Sequence, residues 1–330
     1  MTTPSDLTFK LLRLLADGEF RSGEALAKAV GLSRTTVWKA LQCAQACGIT
    51  LYRVHGRGYR LVTPIDWLDA DVIARRLREK ARLFDIRIEQ ALPSTSTALL
   101  QDAAAGAPAG TVLAAELQTA GRGRRGRSWF SGLGGALTFS LLWRFERRIS
   151  ALGGLSLAAG VALLRALREL GVEQLQVKWP NDVLWRHQKV AGILVEVEGS
   201  EQVAAIIGIG VNLRLDEHVR ERVDQAATDL LSAGLRVSRN DLLAALLSHL
   251  ADVLGLFARE GFSPLRQEWE RAHAYAGRDV VVTMADCSEH TGQVAGVGDD
   301  GALLVRTAAG VRRFHSGEVS LRPQLAQTAA

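Results

Sequence analysis

Residues 121–127 read Gly-Arg-Gly-Arg-Arg-Gly-Arg, so four arginines alternate with three glycines directly after the apolar run that begins at Thr111. Guanidinium groups present fixed forks of N–H donors that match carboxylate and phosphate oxygens. Glycines let a backbone approach a ligand closely and adopt φ angles that other residues avoid. Because the four like charges repel one another, a purely structural role is unfavourable. We therefore expect an anionic ligand here, with a nucleotide as the leading candidate.

A second dense cluster is Lys178-Trp-Pro-Asn-Asp182, followed by Lys189 at the start of an apolar strand. The Trp-Pro pair restricts the backbone to an extended turn. Asn181 and Asp182 supply groups that can orient an amine, a metal or backbone donors, and Lys189 can reach a pocket as a fixed positive charge. Gly192 leaves room for a ligand against the sheet. A solvated lysine at the start of a strand is common, but the nearby Trp-Pro-Asn-Asp turn favours a functional role for Lys189.

The arginine loop also matches the pattern G-x-G-x-x-G, at Gly121, Gly123 and Gly126. A dinucleotide-binding fingerprint requires an apolar helix that opens directly after the glycines. Residues 127–135 instead read Arg-Ser-Trp-Phe-Ser-Gly-Leu-Gly-Gly, which has no helical period. The sequence therefore disfavours a Rossmann site and favours direct contact between arginine side chains and phosphate.

The elements around these clusters predict a mixed β-sheet with helices packed against it. Helices are expected at 67–82, from about residue 98, and at 152–170. Apolar runs typical of strands lie at 83–91, 111–116, 136–143, 175–178, 183–185, 189–198 and 203–213.

Charge is concentrated at the N-terminus. Residues 1–64 contain nine Lys/Arg and four Asp/Glu, which accounts for the whole formal net charge of +5. Three helical segments, with Ser22 and Ser33 as expected N-caps, precede two short strands around a glycine-containing turn. This order is typical of a winged helix-turn-helix. The alternative is a three-helix unit with an ordinary solvated basic face. The candidate DNA-binding residues are Ser22, Ser33, Arg34, Thr35, Lys39, Gln42 and Arg57.

Length and composition set the class of protein. The chain has 330 residues, 48% of them hydrophobic, which is ample for two or three domains. We expect no membrane span, because no apolar run reaches the roughly 18 residues that a span requires. Residues 1–6 lack the features of a signal peptide. Cysteines stand only at 43, 47 and 287, so neither a disulfide framework nor a zinc site is expected. Because a chain without disulfides suits a reducing compartment, we expect a cytoplasmic location.

Together these segments resemble the biotin–protein ligases, specifically the bifunctional bacterial type that also represses the biotin operon. The matching stretches are 118–129, 178–182, 189–196 and 317–322, and the resemblance covers nearly the whole chain.

The resemblance implies an α+β protein of three domains. These are a winged helix-turn-helix at 1–64, a catalytic domain like that of class II aminoacyl-tRNA synthetases at 65–272, and an SH3-like barrel at 273–330. Short strands separated by Gly and Asp turns between 279 and 322 agree independently with a small barrel.

The resemblance also implies a two-step reaction. Biotin's carboxylate attacks the α-phosphate of ATP to give biotinyl-5′-AMP and pyrophosphate, and a lysine of the biotin carboxyl carrier protein of acetyl-CoA carboxylase then takes the biotin. Mg²⁺ would accompany ATP, near Asn181, without a side-chain metal motif. Biotinyl-5′-AMP would act as corepressor by favouring a homodimer that binds operator DNA; no membrane is involved.

Residue roles follow from the same resemblance. Lys189 would neutralise carboxylate and phosphate oxygens, Asp182 would orient the incoming lysine, and Arg124 would close over the adenylate phosphate. Biotin contacts are implied for Ser94, Thr95, Ser96, Gln118, Gly121, Arg122, Gly123, Arg124, Lys189 and Gly192. ATP or adenylate contacts are implied for Arg122, Arg124, Arg127, Trp129, Asn181, Lys189, Asn212 and Arg322.

Three positions depart from the family's pattern. Ser96 replaces the usual Asn, Thr119 replaces a Gln, and Trp38 lies on the recognition helix where a small polar residue is expected.

Two alternative functions are considered. One is a ligase whose N-terminal domain has lost its operator, and the other is a regulator with an inactive catalytic site. A lipoate ligase shares the architecture but fits the arginine loop less well. We expect that loop to be mobile when empty and ordered when adenylate is bound.

Overall fold

The computed structural model describes residues 4–46, 49–199, 202–223, 226–284, 286–315 and 320–323. In this part of the chain, helices and a hairpin come first, a mixed sheet with helices follows, and an antiparallel sheet comes last. The predicted α+β class and the order of its three parts are confirmed. Cys47 and residues 317–319 of the last matching stretch lie outside the described residues.

The N-terminal part is a helix-turn-helix followed by a wing. The Ser22 hydroxyl accepts a hydrogen bond from the backbone N–H of Ala25 (3.0 Å), and that of Ser33 accepts from the N–H of Thr36 (3.2 Å), so both serines cap helices as predicted. The elements are α1 Asp6–Leu14, α2 Gly23–Val30, α3 Arg34–Ala46, β1 Leu51–Val54 and β2 Gly58–Leu61.

The central part is a seven-stranded sheet. Its strands and the short ribbon β5–β6 are β3 Asp85–Leu92, β4 Thr111–Gln118, β5 Gly121–Arg122, β6 Ser128–Trp129, β7 Ala136–Phe145, β8 Leu175–Lys178, β9 Asp182–Trp185, β10 Gln188–Glu198 and β11 Val203–Asn212. The strand order is β3-β4-β7-β11-β10-β9-β8, with β3 and β4 parallel and the other neighbours antiparallel.

Two predicted helices begin later than expected. The first starts at Ala70, because Asp69 caps it and the backbone at Leu68 is bound instead by the buried carboxylate of Glu116 (2.8 Å). The second starts after Gly154, whose positive φ of 83° interrupts the helix. The helices of the central part are α4 Ala70–Leu77, α5 Thr95–Ala104, α6 Leu155–Glu169, α7 Glu217–Arg220, α8 Arg239–Glu260 and α9 Ser263–Arg271.

Segments 149–169 and 239–260 are long and apolar enough to cross a membrane by length and composition, contrary to the expectation from the sequence. More than half of each segment is buried in the protein, where α6 and α8 pack on the sheet. Core helices of ordinary domains pass the same length and composition test, so these segments are weak evidence for a membrane protein.

The C-terminal part is a five-stranded antiparallel sheet of order β15-β14-β13-β12-β16. Its apolar side chains, including Val280 and Val305, belong to the same hydrophobic core as those of the central part. The indole N–H of Trp179 donates to the carbonyl of Gly301 (3.1 Å) and joins the two parts. The strands are β12 Asp279–Thr283, β13 Glu289–Val297, β14 Leu303–Thr307, β15 Gly310–Phe314 and β16 Ser320–Pro323.

Candidate functional site

A cleft of about 850 Å³ opens at one face of the central sheet. It brings together residues that are far apart in the sequence, from α5 to β16. All the predicted biotin and adenylate residues except Gly121 line it. They are Ser94, Thr95, Ser96, Gln118, Arg122, Gly123, Arg124, Arg127, Trp129, Asn181, Asp182, Lys189, Gly192, Asn212 and Arg322.

Gly121 lies behind the cleft wall. It is buried, and a Cβ at this position would come within 2.5 Å of the carbonyl oxygen of Trp129. Gly121 therefore allows β5 and β6 to pair closely, which is a structural contribution to the arginine loop.

The arginine loop is a folded ribbon, although its sequence suggests a segment that cannot pack. The backbone N–H of Gly123 donates to the carbonyl of Arg127 (2.7 Å), and the side chains of Arg122 and Arg124 have separate partners. Arg122 forms a bidentate pair with Glu196 (2.7 and 3.3 Å), whereas Arg124 contacts the side-chain oxygen of Asn181 (3.3 Å). Separation of the charges reduces their mutual repulsion and allows a compact loop.

Lys189 and Asp182 form an ion pair in the cleft, with 2.8 Å between Nζ and Oδ1 and both side chains largely buried. A β-bulge produces this pairing. Gly192 lies opposite Asp182 across the β9–β10 ladder, and the register shifts by one residue between Lys189 and Ala191. The extra residue brings Lys189 to the same face as Gly192 and Asp182, since a strand otherwise alternates faces. Asp182 Oδ1 accepts no hydrogen bond from the described residues, so its contact with Lys189 is an ion pair without hydrogen-bond geometry.

The indole of Trp129 lies close to two paired glycines. Gly192 and Gly210 are partners in the β10–β11 ladder. A Cβ at Gly210 would come within 2.4 Å of the indole, and one at Gly192 within 3.0 Å of the Lys189 Nζ. The ammonium of Lys189 also lies 5.7 Å from the centre of the Trp129 ring. The glycines thus provide space for the protein's own lysine and indole.

Four buried polar side chains form a chain of hydrogen bonds at one end of the cleft. Gln118 Oε1 accepts from both the backbone N–H (2.7 Å) and the hydroxyl (3.2 Å) of Thr95. Because the Thr95 hydroxyl donates there, it accepts from Ser140 (2.8 Å). Ser140 in turn accepts from Ser96 (3.0 Å). The Ser96 oxygen is left with free lone pairs, and the amide N–H groups of Gln118 remain available as donors.

Several of the remaining assigned side chains already have protein partners. The Ser94 hydroxyl caps α5 by accepting from the N–H of Thr97 (3.4 Å). The Asn181 amide donates to the carbonyl of Ile193 (2.8 Å), and that of Asn212 donates to the carbonyl of Thr228 (3.0 Å). Asn181 and Asn212 therefore hold loops at the rim of the cleft.

A group of cations surrounds Asp182. Burial lowers the pKa of Lys178 from its usual value, an effect that Asp182 opposes and that Lys189, Arg127 and Arg322 reinforce. Burial likewise lowers the pKa of Arg124, again opposed by Asp182. Among the described residues that line the cleft, Asp182 is the only acidic one. This excess of positive charge suits a ligand with several negative charges.

A second cleft, of about 830 Å³, lies between α3 and the hairpin of the N-terminal part. Among the predicted DNA-binding residues it brings together Ser22, Arg34 and Thr35. Lys39 and Gln42 are exposed on α3 beyond it, and Ser33 is occupied as a helix cap. Arg57 lies 4.3 Å over the ring of Phe20 at the wing.

Known proteins resemble this chain over nearly its full length. The bifunctional ligase/repressor BirA of Salmonella typhimurium is 38% identical, over 94% of this chain and 96% of its own length. That of Bacillus subtilis is 30% identical over 93% and 95%. The chain belongs to the biotin–protein ligase family. Profiles described as HTH domain, Biotin/lipoate A/B protein ligase family and Biotin protein ligase C terminal domain match residues 8–60, 88–212 and 276–322, respectively.

A solved structure of the biotin–protein ligase family has the same fold. The biotin protein ligase from Aquifex aeolicus in complex with biotin and ATP is 30% identical and superposes with a TM-score of 0.62, over 73% of this chain and 99% of its own.

Two residues that line this ligase-type cleft, and a third that lies behind it, are not among the site residues predicted from the sequence. Ser140 is the centre of the hydroxyl chain, and its only signal was a serine within an apolar strand. Lys178 begins the Lys-Trp-Pro-Asn-Asp motif, which does not by itself indicate a role for this lysine, and its side chain lines the cleft. Arg222 also lines the cleft, 5.9 Å from the ring of Phe130, and no local pattern marks it.

Proposed function

We propose that this chain is a biotin–protein ligase that makes biotinyl-5′-AMP from biotin and ATP, transfers biotin to a carrier-protein lysine, and acts as a cytoplasmic repressor. The principal observation is the ion pair of Lys189 and Asp182, which lies in one cleft with the hydroxyl chain and the arginine loop. A cation, a carboxylate and an anion-binding loop are the groups that the two steps require.

The hydroxyl chain provides the biotin end of the cleft. A ureido ring has N–H donors and a carbonyl acceptor. The Ser96 oxygen, whose hydrogen is directed to Ser140, accepts a ureido N–H, and the Gln118 amide donates to the ureido carbonyl. Ser96 thereby replaces the family's Asn as a hydrogen-bond acceptor, and Ser94 and Thr95 complete this wall.

In the first step, an oxygen of the biotin carboxylate bonds to the α-phosphorus, and the bond from that phosphorus to the bridging oxygen of pyrophosphate breaks. Lys189 leaves Asp182 for the carboxylate and phosphate oxygens, and Arg122, Arg124 and Arg127 neutralise the remaining charge. Trp129 covers the nucleotide, with Arg322 at the opposite rim.

The departure of Lys189 prepares the second step. Once its partner has moved, the Asp182 carboxylate is free to accept a hydrogen bond from the incoming lysine amine and orient it. The neutral amine nitrogen bonds to the acyl carbon, the bond from that carbon to the phosphate oxygen breaks, and AMP leaves while the nitrogen releases one proton to solvent. One ion pair thus serves both steps in turn.

Mg²⁺ in this scheme comes with ATP and screens its phosphate charge. The described residues contain no group of three or more His, Cys, Asp or Glu side chains arranged for a metal ion. Since Mg²⁺ commonly binds through phosphates, water and one or two carboxylates, Asp182 and the oxygen of Asn181 are the groups that would approach it.

The ligase proposal is tested by following the two steps separately. Exchange of pyrophosphate into ATP in the presence of biotin reports the first step, and biotinylation of a purified carrier reports the second. Lys189→Ala should slow the exchange by about 100-fold or more, as expected for the loss of one electrostatic stabiliser. Asp182→Asn should impair transfer more than exchange. Lys10→Ala, on the exposed face of α1, is the control, and near-normal exchange by Lys189→Ala would exclude the proposal.

The repressor proposal rests on the basic groove of the N-terminal part. Biotinyl-5′-AMP would favour a homodimer that presents two recognition helices to a palindromic operator. A mobility-shift experiment on DNA upstream of the chain's own gene, with and without biotin plus ATP, separates a repressor from a ligase only. Arg34→Glu should abolish a shift that Lys10→Glu, on exposed α1, preserves; a shift of equal strength with both variants would reject the groove as the DNA site.

A further inference from the structure

The exposed face of the recognition helix carries an unusual apolar side chain. Thr35, Trp38 and Gln42 are spaced so that they share this face of α3, and all three are exposed. Trp38 is 40% exposed and packs against none of the hydrophobic clusters of the described residues. Because the indole does not pack in the core, we interpret Trp38 as a binding residue.

The surroundings of Trp38 are basic. It lies in the groove between α3 and the wing, which Arg34, Arg53 and His55 also line, and none of the described residues that line this groove is acidic. Val54, 39% exposed, lies in the same groove and adds a second apolar side chain. The partner that fits this groove is therefore a polyanion with apolar groups among its polar ones.

Duplex DNA has this combination in its major groove. The 5-methyl group of thymine is the apolar feature that base edges present there, and apolar side chains contact it. A recognition helix places its exposed face against these edges, and arginines beside it contact phosphates. Resting on the proposed repressor function, we propose that Trp38, supported by Val54, reads the thymine methyl group and so sets the operator sequence of this protein.

Trp38 thereby acquires a role distinct from that of its neighbours. Arg34 and Arg53 supply affinity for phosphates, which does not depend on base sequence. Trp38 offers a flat apolar surface without a charge, so its contribution depends on which base lies opposite. The operator should consequently differ from that of a relative with a small polar residue at this position.

The test selects binding sites from a library of randomised duplex DNA, with the full chain, biotin and ATP present. Wild type is compared with Trp38→Ser, Trp38→Gln and the control Tyr52→Ser. Tyr52 is a 46% exposed aromatic residue of the wing that does not line the groove. Circular dichroism and thermal unfolding of every variant verify that the N-terminal part is folded, and carrier biotinylation verifies that the central cleft is intact. Single thymines of the selected site are then replaced by uracil, which removes only the methyl group.

Wild type and Tyr52→Ser should select thymine at a defined position of each half-site, where uracil should weaken binding about four-fold. Both Trp38 variants should lose that preference and the response to uracil. Unchanged base preferences in the Trp38 variants, or a loss of affinity equal for all sequences, would overturn the inference and leave the repressor proposal intact. Failure of wild type to enrich any duplex would defeat both.

Discussion

At the scale of single residues, the sequence marks chemical groups but not the bonds between them. Lys189 and Asp182 stand out because of their motifs, yet their ion pair depends on a one-residue shift in the β9–β10 ladder. Ser140 is marked only as a serine within an apolar strand, because its role arises where β7 meets the start of α5. Tertiary contacts of this kind cannot be inferred from spacing along the chain.

Ser140→Ala provides a prediction at this scale. The change removes the hydroxyl that joins Thr95 to Ser96 and leaves buried polar groups without a partner, which costs about 1–3 kcal/mol. We expect the KM for biotin in pyrophosphate exchange to rise about tenfold while kcat changes little. The matched control is Thr8→Ala, which removes a buried hydroxyl of the N-terminal part. Equal KM values for wild type and Ser140→Ala would show that the hydroxyl chain does not position biotin.

At the scale of elements, the boundaries of regular structure were predicted well where local signals are strong. Helix α3 begins directly after its Ser33 cap, as expected. The helix expected at 67–82 was wrong at its start, because Glu116 and Asn240, remote in sequence, bind the backbone at Trp67 and Leu68. The contact of the Trp129 indole with glycines of β10 and β11 likewise could not be predicted from local sequence, because these residues are far apart along the chain.

The paired glycines give a prediction for these elements. Gly210→Ala places a Cβ where the Trp129 indole lies, so the indole must move. We expect the KM for ATP to rise more than the KM for biotin, because Trp129 borders the proposed nucleotide end. Gly255→Ala, a helical position with nothing closer than 3.7 Å, should leave both constants unchanged and is the control. Identical KM values for ATP in wild type and Gly210→Ala would show that Trp129 does not contribute to the nucleotide site.

At the scale of the whole molecule, the three parts predicted from the sequence are less separate than their motifs suggest. Ile65, Leu117 and Leu133 belong to the hydrophobic cluster of the N-terminal part, although Leu117 directly precedes Gln118 of the main cleft. The central and C-terminal parts share a single core. Composition reveals separate modules, but it cannot reveal which apolar side chains meet across them.

His273, at the junction of the central and C-terminal parts, predicts a dependence of stability on pH. Its ring packs 4.6 Å from that of Trp269, and burial lowers its pKa to about 4. Between pH 6.5 and 4 the unfolded chain binds a proton that the folded chain does not. The free energy of unfolding should therefore fall by about 3 kcal/mol as the pH decreases across that range.

The measurement for His273 is urea unfolding at several pH values. His273→Gln should flatten the decrease between pH 6.5 and 4, whereas His315→Gln, at an exposed position, should retain it. A decrease of the same size in both variants would mean that His273 does not cause the acid sensitivity.

Above all, we propose that the cleft around Lys189 makes and retains an acyl-adenylate. The direct measurement is mass spectrometry of small molecules released from the purified protein after incubation with biotin and ATP, without a carrier. Wild type should yield biotinyl-5′-AMP in an amount close to that of the protein, and Lys189→Ala should yield almost none. Absence of the adenylate from wild type, or equal amounts from both proteins, would contradict the claim.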